Sequence, residues 1–133
     1  MSYGTSITLD VPFSQAVARV RAALAEQGFG VLTEIDVTAT LKAKLGEQIE
    51  DYVILRACNP PLAHRALAAD RSIGLLLPCN VVVRAAGAGS IVEALDPQIM
   101  ATLSGWPELK PVADEAARRL ATALASLTKG EEK

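Results

Sequence analysis

Apolar and polar residues alternate from Tyr3 to Leu9, with Tyr3, Thr5, Ile7 and Leu9 on one side and Gly4, Ser6 and Thr8 on the other. A period of two predicts a strand with one buried face, and Asp10-Val11-Pro12 ends it. From Phe13 the spacing becomes helical. Phe13, Ala16, Val17, Val20, Ala23 and Leu24 share a face, with Gln15, Arg19, Arg21 and Glu26 mostly opposite, and Gly28 suits a left-handed cap. Phe29, Val31, Thr33 and Ile35 restore the alternation for a second strand. Asp36 then caps a short helix carrying Val37, Leu41 and Leu45, which Gly46 closes.

Asp51 to Ala57 reads as a third strand, apolar almost throughout. Asn59 before Pro60 and Pro61 is a helix entry, followed by Leu62, Ala63, Ala66 and Leu67 on one face. Ile73 to Arg84 predicts a long fourth strand, bent where Pro78 cannot donate to a ladder. The turn Ala86 to Ser90 joins it to a fifth strand, Ile91 to Leu95, as a hairpin. Asp96-Pro97 opens a short helical turn through Met100 and Leu103. After Trp106, expected to anchor by packing, a stripe from Leu109 through Val112, Ala116, Leu120 and Leu124 to Leu127 predicts one long helix.

This order predicts an α+β fold in two layers, with a mainly antiparallel sheet covered on one face by the first and last helices and short helical insertions between strands. Residues 1–128 form the single domain and 129–133 a disordered polar tail. The third and fourth strands are apolar on both sides, so their second face needs the inserted helices or another copy of the chain. A homodimer is therefore expected.

At 133 residues the chain has room for one core and little room for another. Thirteen basic against fifteen acidic residues leave no excess of positive charge for a phosphate backbone, so no nucleic-acid partner is expected. The longest uncharged apolar run, Ser72 to Val83, is too short for the roughly 20 residues of a membrane-spanning helix. The first residues lack the basic and apolar regions of a secretory leader, which points to the cytoplasm. Two cysteines make no disulfide framework there and are expected as free thiols.

Chemistry concentrates at two tripeptides, Cys58-Asn59-Pro60 and Pro78-Cys79-Asn80. Each sets a thiol beside an asparagine where proline disturbs the ladder. Cys58 precedes a helix N-terminus, whose amides and dipole would favour thiolate; the plain alternative is a small buried filler beside a capping asparagine. The spacing of the two cysteines fits no zinc or thioredoxin-type signature, and His64 is better read as a solvent-facing helical residue, so no metal set or cofactor is assigned. Glu34 and Asp36 would share a strand face, but Asp36 is better used as a helix cap. Gly87-Ala88-Gly89 leads into a strand and lacks the helix that a phosphate loop needs.

The run Gly28-Phe29-Gly30-Val31-Leu32-Thr33-Glu34-Ile35-Asp36-Val37 with Thr40-Leu41-Lys42, then Cys58-Asn59-Pro60, then Leu77-Pro78-Cys79-Asn80-Val81-Val82-Val83, resembles the bacterial and archaeal family called domain of unknown function 302. The resemblance covers nearly the whole chain. It implies a small α+β domain seen as a homodimer, with no established activity, catalytic residue or cofactor. It also implies that Cys58, Asn59, Pro60, Pro78 and Cys79 are distinguishing positions. The reading that follows is a cytosolic homodimer binding a small-molecule ligand, or transiently a soft metal, in a cleft near Cys58, Asn59, Pro60, Pro78, Cys79 and Asn80. Two other readings stand beside it: a thiol enzyme with Cys58 as nucleophile and Cys79 as resolving partner, and a module that only binds other proteins.

Overall fold

A computed structural model describes residues 3–77 and 79–131. Five strands, β1 (Gly4–Leu9), β2 (Gly30–Asp36), β3 (Tyr52–Cys58), β4 (Cys79–Ala86) and β5 (Gly89–Leu95), form one sheet in the order β1-β5-β4-β3-β2. Every pairing is antiparallel. The helices are α1 (Phe13–Glu26), α2 (Val37–Leu45), α3 (Pro60–Ala69), α4 (Gln98–Ser104) and α5 (Lys110–Glu131). Because β1 and β2 lie at opposite edges, α1 must cross the sheet to join them. It packs beside α5, and the two cover one face. Their apolar stripes meet Leu55, Val81, Val83 and Val92 from the central strands, all essentially without exposed surface. This is the α+β architecture that the order of elements predicts.

The hairpin turn is Gly87-Ala88, with Ala86 paired to Gly89. Gly87 has φ 60°, and no residue other than glycine has a positive φ among the described residues; this fits a type II′ turn, whose first central position wants glycine. Gly89 is needed for a different reason: a Cβ there would lie 2.7 Å from the Leu9 carbonyl oxygen, a backbone atom that cannot swing aside. Gly89→Ala should therefore pry β1 from β5 at that end and cost about 1–2 kcal/mol, readable as a lower denaturation midpoint with an unchanged slope.

Four expectations need correction. The fourth strand does not begin at Ile73. Arg71–Leu76 is a 3₁₀ helix opened by Asp70, whose carboxylate accepts from Ser72 N at 3.0 Å, and only Ile73 of this run is buried. A continuous apolar run carries no period that separates strand from helix. Pro78, expected inside the strand, lies outside the described residues, and β4 starts at Cys79. In β2 the alternation breaks at a bulge between Val31 and Thr33, so that Ile35 pairs with Ile54 on the opposite face from the helices. Trp106 does not anchor the last helix: it is 47% exposed, and the fully buried Leu109 holds that position. Finally, α5 runs on to Glu131, three residues into the expected tail, since one glycine near a helix end costs only about 1 kcal/mol.

The sheet face away from α1 and α5 carries Ile35, Tyr52, Ile54, Val82, Ile91 and Leu95, all partly exposed. The helices inserted between strands do not cover it. Instead α3, α4 and the 3₁₀ helix gather around the first turns of α5, in a second core built on Leu62, Ala66, Ile73, Met100, Leu109 and Val112. Among the described residues, no helix is long and apolar enough to cross a membrane.

Candidate functional site

The two cores leave a gap between them. A cavity of about 30 Å³ lies there, bordered by Phe29, Ala57 and Cys79 from the sheet side and by Leu62, Ala66, Met100, Val112 and Ala116 from the helical side. Cys58 and Asn59, where β3 turns into α3, complete its rim. Cys79 stands opposite Ala57 in the β3–β4 register, so its side chain shares the helix-covered face. Both thiols are free and half-buried.

Asn59 is the hinge pin of this corner and is 7% exposed. Its Oδ1 accepts from Leu62 N at 3.3 Å, and its Nδ2 donates to the Gln27 carbonyl at the same distance. Arg119 on α5 donates to that same carbonyl at 3.1 Å. The start of α3, the end of α1 and the middle of α5 thus meet at one oxygen. Gly28 next to it has φ 84°, and a Cβ there would come within 3.0 Å of Asn59 Nδ2, so both the backbone conformation and the space call for glycine.

Burial pushes the Cys79 thiol up to about 11 from an ordinary 9.0, with a smaller rise from the charge of Cys58. Cys58 is also raised, again by burial. The lowering expected from the helix N-terminus does not occur, because the donors are missing or used. Pro60 and Pro61 have no N–H, Leu62 N is taken by Asn59 Oδ1, and Ala63 N by the Asn59 carbonyl at 2.9 Å.

Cys58, Asn59 and Cys79 all border this cavity, with the Cys58 side chain one step along the pleat from the face that Ala57 and Cys79 share, and two expected residues lie elsewhere. Pro60 is exposed at the first position of α3, where it serves the helix start. Asn80 points the other way from Cys79. It is exposed on the open sheet face, beside Tyr52, Val82 and Glu93, because one step along a strand reverses the side. His64 is exposed on α3 and does not border the cavity. Asp36 accepts from Ala39 N at 2.9 Å as a helix cap, and Glu34 pairs with Arg21 at 2.8 Å, so they form no carboxylate pair.

Sequence reading missed Phe29, Met100 and Arg119 here. Phe29 and Met100 read as ordinary apolar positions, and Arg119 as part of the solvent side of the last helix. The one signal available was that Met100 is a soft sulfur donor in a chain with few of them. Beside the cavity, and sharing Asn59 and Leu62 with it, runs a groove of about 380 Å³ bordered by Arg65, Arg119 and Glu115. Among the described residues, no three His, Cys, Asp or Glu side chains gather as a metal set.

A family model described as domain of unknown function DUF302 matches residues 5–127. No curated protein matches the chain. Among solved structures, the crystal structure of an uncharacterized conserved DUF302 protein from Bacillus stearothermophilus is similar with a TM-score of 0.88 and 28% identity, over 96% of this chain and 99% of that one. With the family model spanning both cysteine motifs and nearly all of the sheet and helices, this chain belongs to the DUF302 family, whose function is unknown.

Proposed function

We propose that the domain binds one soft monovalent cation of the Cu(I) class between the thiolates of Cys58 and Cys79, in a reducing cytoplasm. The observation that carries this reading is that two cysteines, Cys58 and Cys79, border one small apolar cavity. About 30 Å³ holds roughly one water or one ion, whereas sites for organic ligands run to about 300–1,000 Å³. Thiolates select soft ions, and Cu(I) is the soft first-row ion of a reducing compartment. Binding is an exchange without redox change: each thiol gives its proton to solvent, and each sulfur donates a lone pair to the ion. Two thiolates and one monovalent ion leave a single negative charge.

A thiol enzyme is less well supported. Its nucleophile must be thiolate near neutral pH, and burial drives both cysteines toward the thiol form. Native mass spectrometry tests the proposal. After exposure to a stoichiometric Cu(I) donor and desalting, the chain should hold one copper, and the Cys58→Ser/Cys79→Ser double variant none. Equal loading of the two, or no loading of either, would overturn it.

The second copy of the chain belongs to the same reading. The open sheet face sets apolar side chains around the Arg84–Glu93 pair (3.2 Å), a surface that two copies would share across a twofold axis. Light scattering should give twice the chain mass, and Val82→Glu, which sets an unpaired carboxylate on that face, should halve it. A monomeric parent chain at micromolar concentration would exclude this arrangement.

A further inference from the structure

We infer that the groove beside the cavity is a site for a small organic anion, one that carries a carboxylate or phosphate head on a short apolar body. This site is separate from the thiol reading above and does not depend on it. Its volume of about 380 Å³ falls within the roughly 300–1,000 Å³ of small-molecule sites. Three segments distant in sequence border it: Gly28 just after α1, the first turns of α3, and the first half of α5.

Charge decides the class of ligand. The ionisable side chains that border the groove are Arg65, Arg119 and Glu115. Glu115 is already matched, since its Oε1 accepts from Arg118 Nε at 3.2 Å and its Oε2 from Arg119 Nε at 2.7 Å. Arg119 is half-buried and held in place. Its Nη1 donates to the Gln27 carbonyl at 3.1 Å, which leaves Nη2 without a protein acceptor. A guanidinium fixed in this way has already lost its rotamer freedom, so an oxyanion that binds it does not bear that cost. Gly28 keeps it uncovered: a Cβ there would lie 3.4 Å from Arg119 Nη1. Arg65 is exposed and has no hydrogen-bond or ion-pair partner among the described residues. A compact space of this volume is about 9 Å across, so an anion within it lies about one screening length from either arginine. Pro61, Leu62 and Pro111 supply apolar wall for the body of the ligand. The rival role for Arg119 is that of a structural tie alone, holding α5 to the end of α1 through the Gln27 carbonyl.

Titration of the isotope-labelled, metal-free chain with phenyl phosphate and with benzoate, followed by nuclear magnetic resonance, separates the two roles. Both anions should give saturable shifts at the amides of Gly28 and Leu62 and at Arg119 Nε, at millimolar concentration or below. The tighter of the two identifies the head group that the site prefers. Benzyl alcohol, which has the ring without the charge, should give none, and added salt should weaken both anions. Arg65→Glu reverses a charge at an exposed position without a partner, so the fold should hold, while the dissociation constants rise on the order of tenfold. The Cys58→Ser/Cys79→Ser variant should bind both anions as the parent does, so that a failure of the thiols to hold copper leaves this site standing. The inference is overturned if neither anion gives saturable shifts, if benzyl alcohol gives equal ones, or if Arg65→Glu binds unchanged; Arg119 is then a structural tie and nothing more.

Discussion

The apparent affinity for Cu(I) should rise about a hundredfold per pH unit between roughly pH 6 and 8, once the pH dependence of the competing chelator is subtracted. The sign follows from the thiols. Both are held above their ordinary value, Cys79 at about 11 and Cys58 upward by burial, so both carry a proton throughout that range. Each must lose it before it can bind, and each proton released makes the dissociation constant fall about tenfold per unit rise in pH. A slope of one would mean that a single thiolate holds the ion, and a flat profile would mean that neither cysteine does. Anaerobic chelator competition at several pH values measures it.

The same burial predicts an alkaline weakness in the metal-free chain. The folded state holds the Cys79 proton more tightly than the unfolded state does, because its thiol titrates near 11 instead of 9.0. The stabilisation is therefore fully present below pH 9, and is lost as pH rises from there through the folded value. A shift of this size corresponds to about 3 kcal/mol, to be read as an order of magnitude. Other groups also titrate in that range, so the informative quantity is the difference between the parent chain and Cys79→Ala. The variant should be the less stable near neutral pH, having lost buried contacts, and the gap should close or reverse by pH 11. Parallel unfolding midpoints for the two proteins from pH 8 to 11 would show that Cys79 ionises freely and does not border a dry cavity.

How far the chain announces its own fold varies with the physics of each segment. The helical stripes of α1 and α5, the caps at Asp36 and Asn59, and the hairpin at Gly87-Ala88 are written in short-range chemistry, and the structure bears them out. The segment Arg71–Leu76 is not, because its apolar run has no period; an aspartate two residues before Ser72 N decides for the 3₁₀ helix. The bulge in β2 is equally silent. One extra residue moves Thr33 and Ile35 across the sheet without altering the alternation that predicted the strand.

The candidate site divides in the same way. Cys58, Asn59 and Cys79 stand out because thiols and prolines break the local pattern of a strand, and departures from local rules tend to mark sites. Asn80 stood out for the same reason and is separated from them by the pleat. Met100 and Arg119 obey their helical patterns, so nothing local distinguishes them; only the packing of α4 and α5 against α3 brings them to this corner. The raised thiols show the converse limit. A cysteine before a helix suggests a thiolate, yet two prolines and an asparagine leave no amide there to hold one.

The claim on which the account turns is that Cys58 and Cys79 act as one site, and a double-variant cycle on Cu(I) affinity tests it most directly. If the ion bridges both sulfurs, Cys58→Ser and Cys79→Ser should each lose nearly as much affinity as the two together. Losses that simply add, or one substitution without effect, would mean that the sulfurs bind independently or not at all.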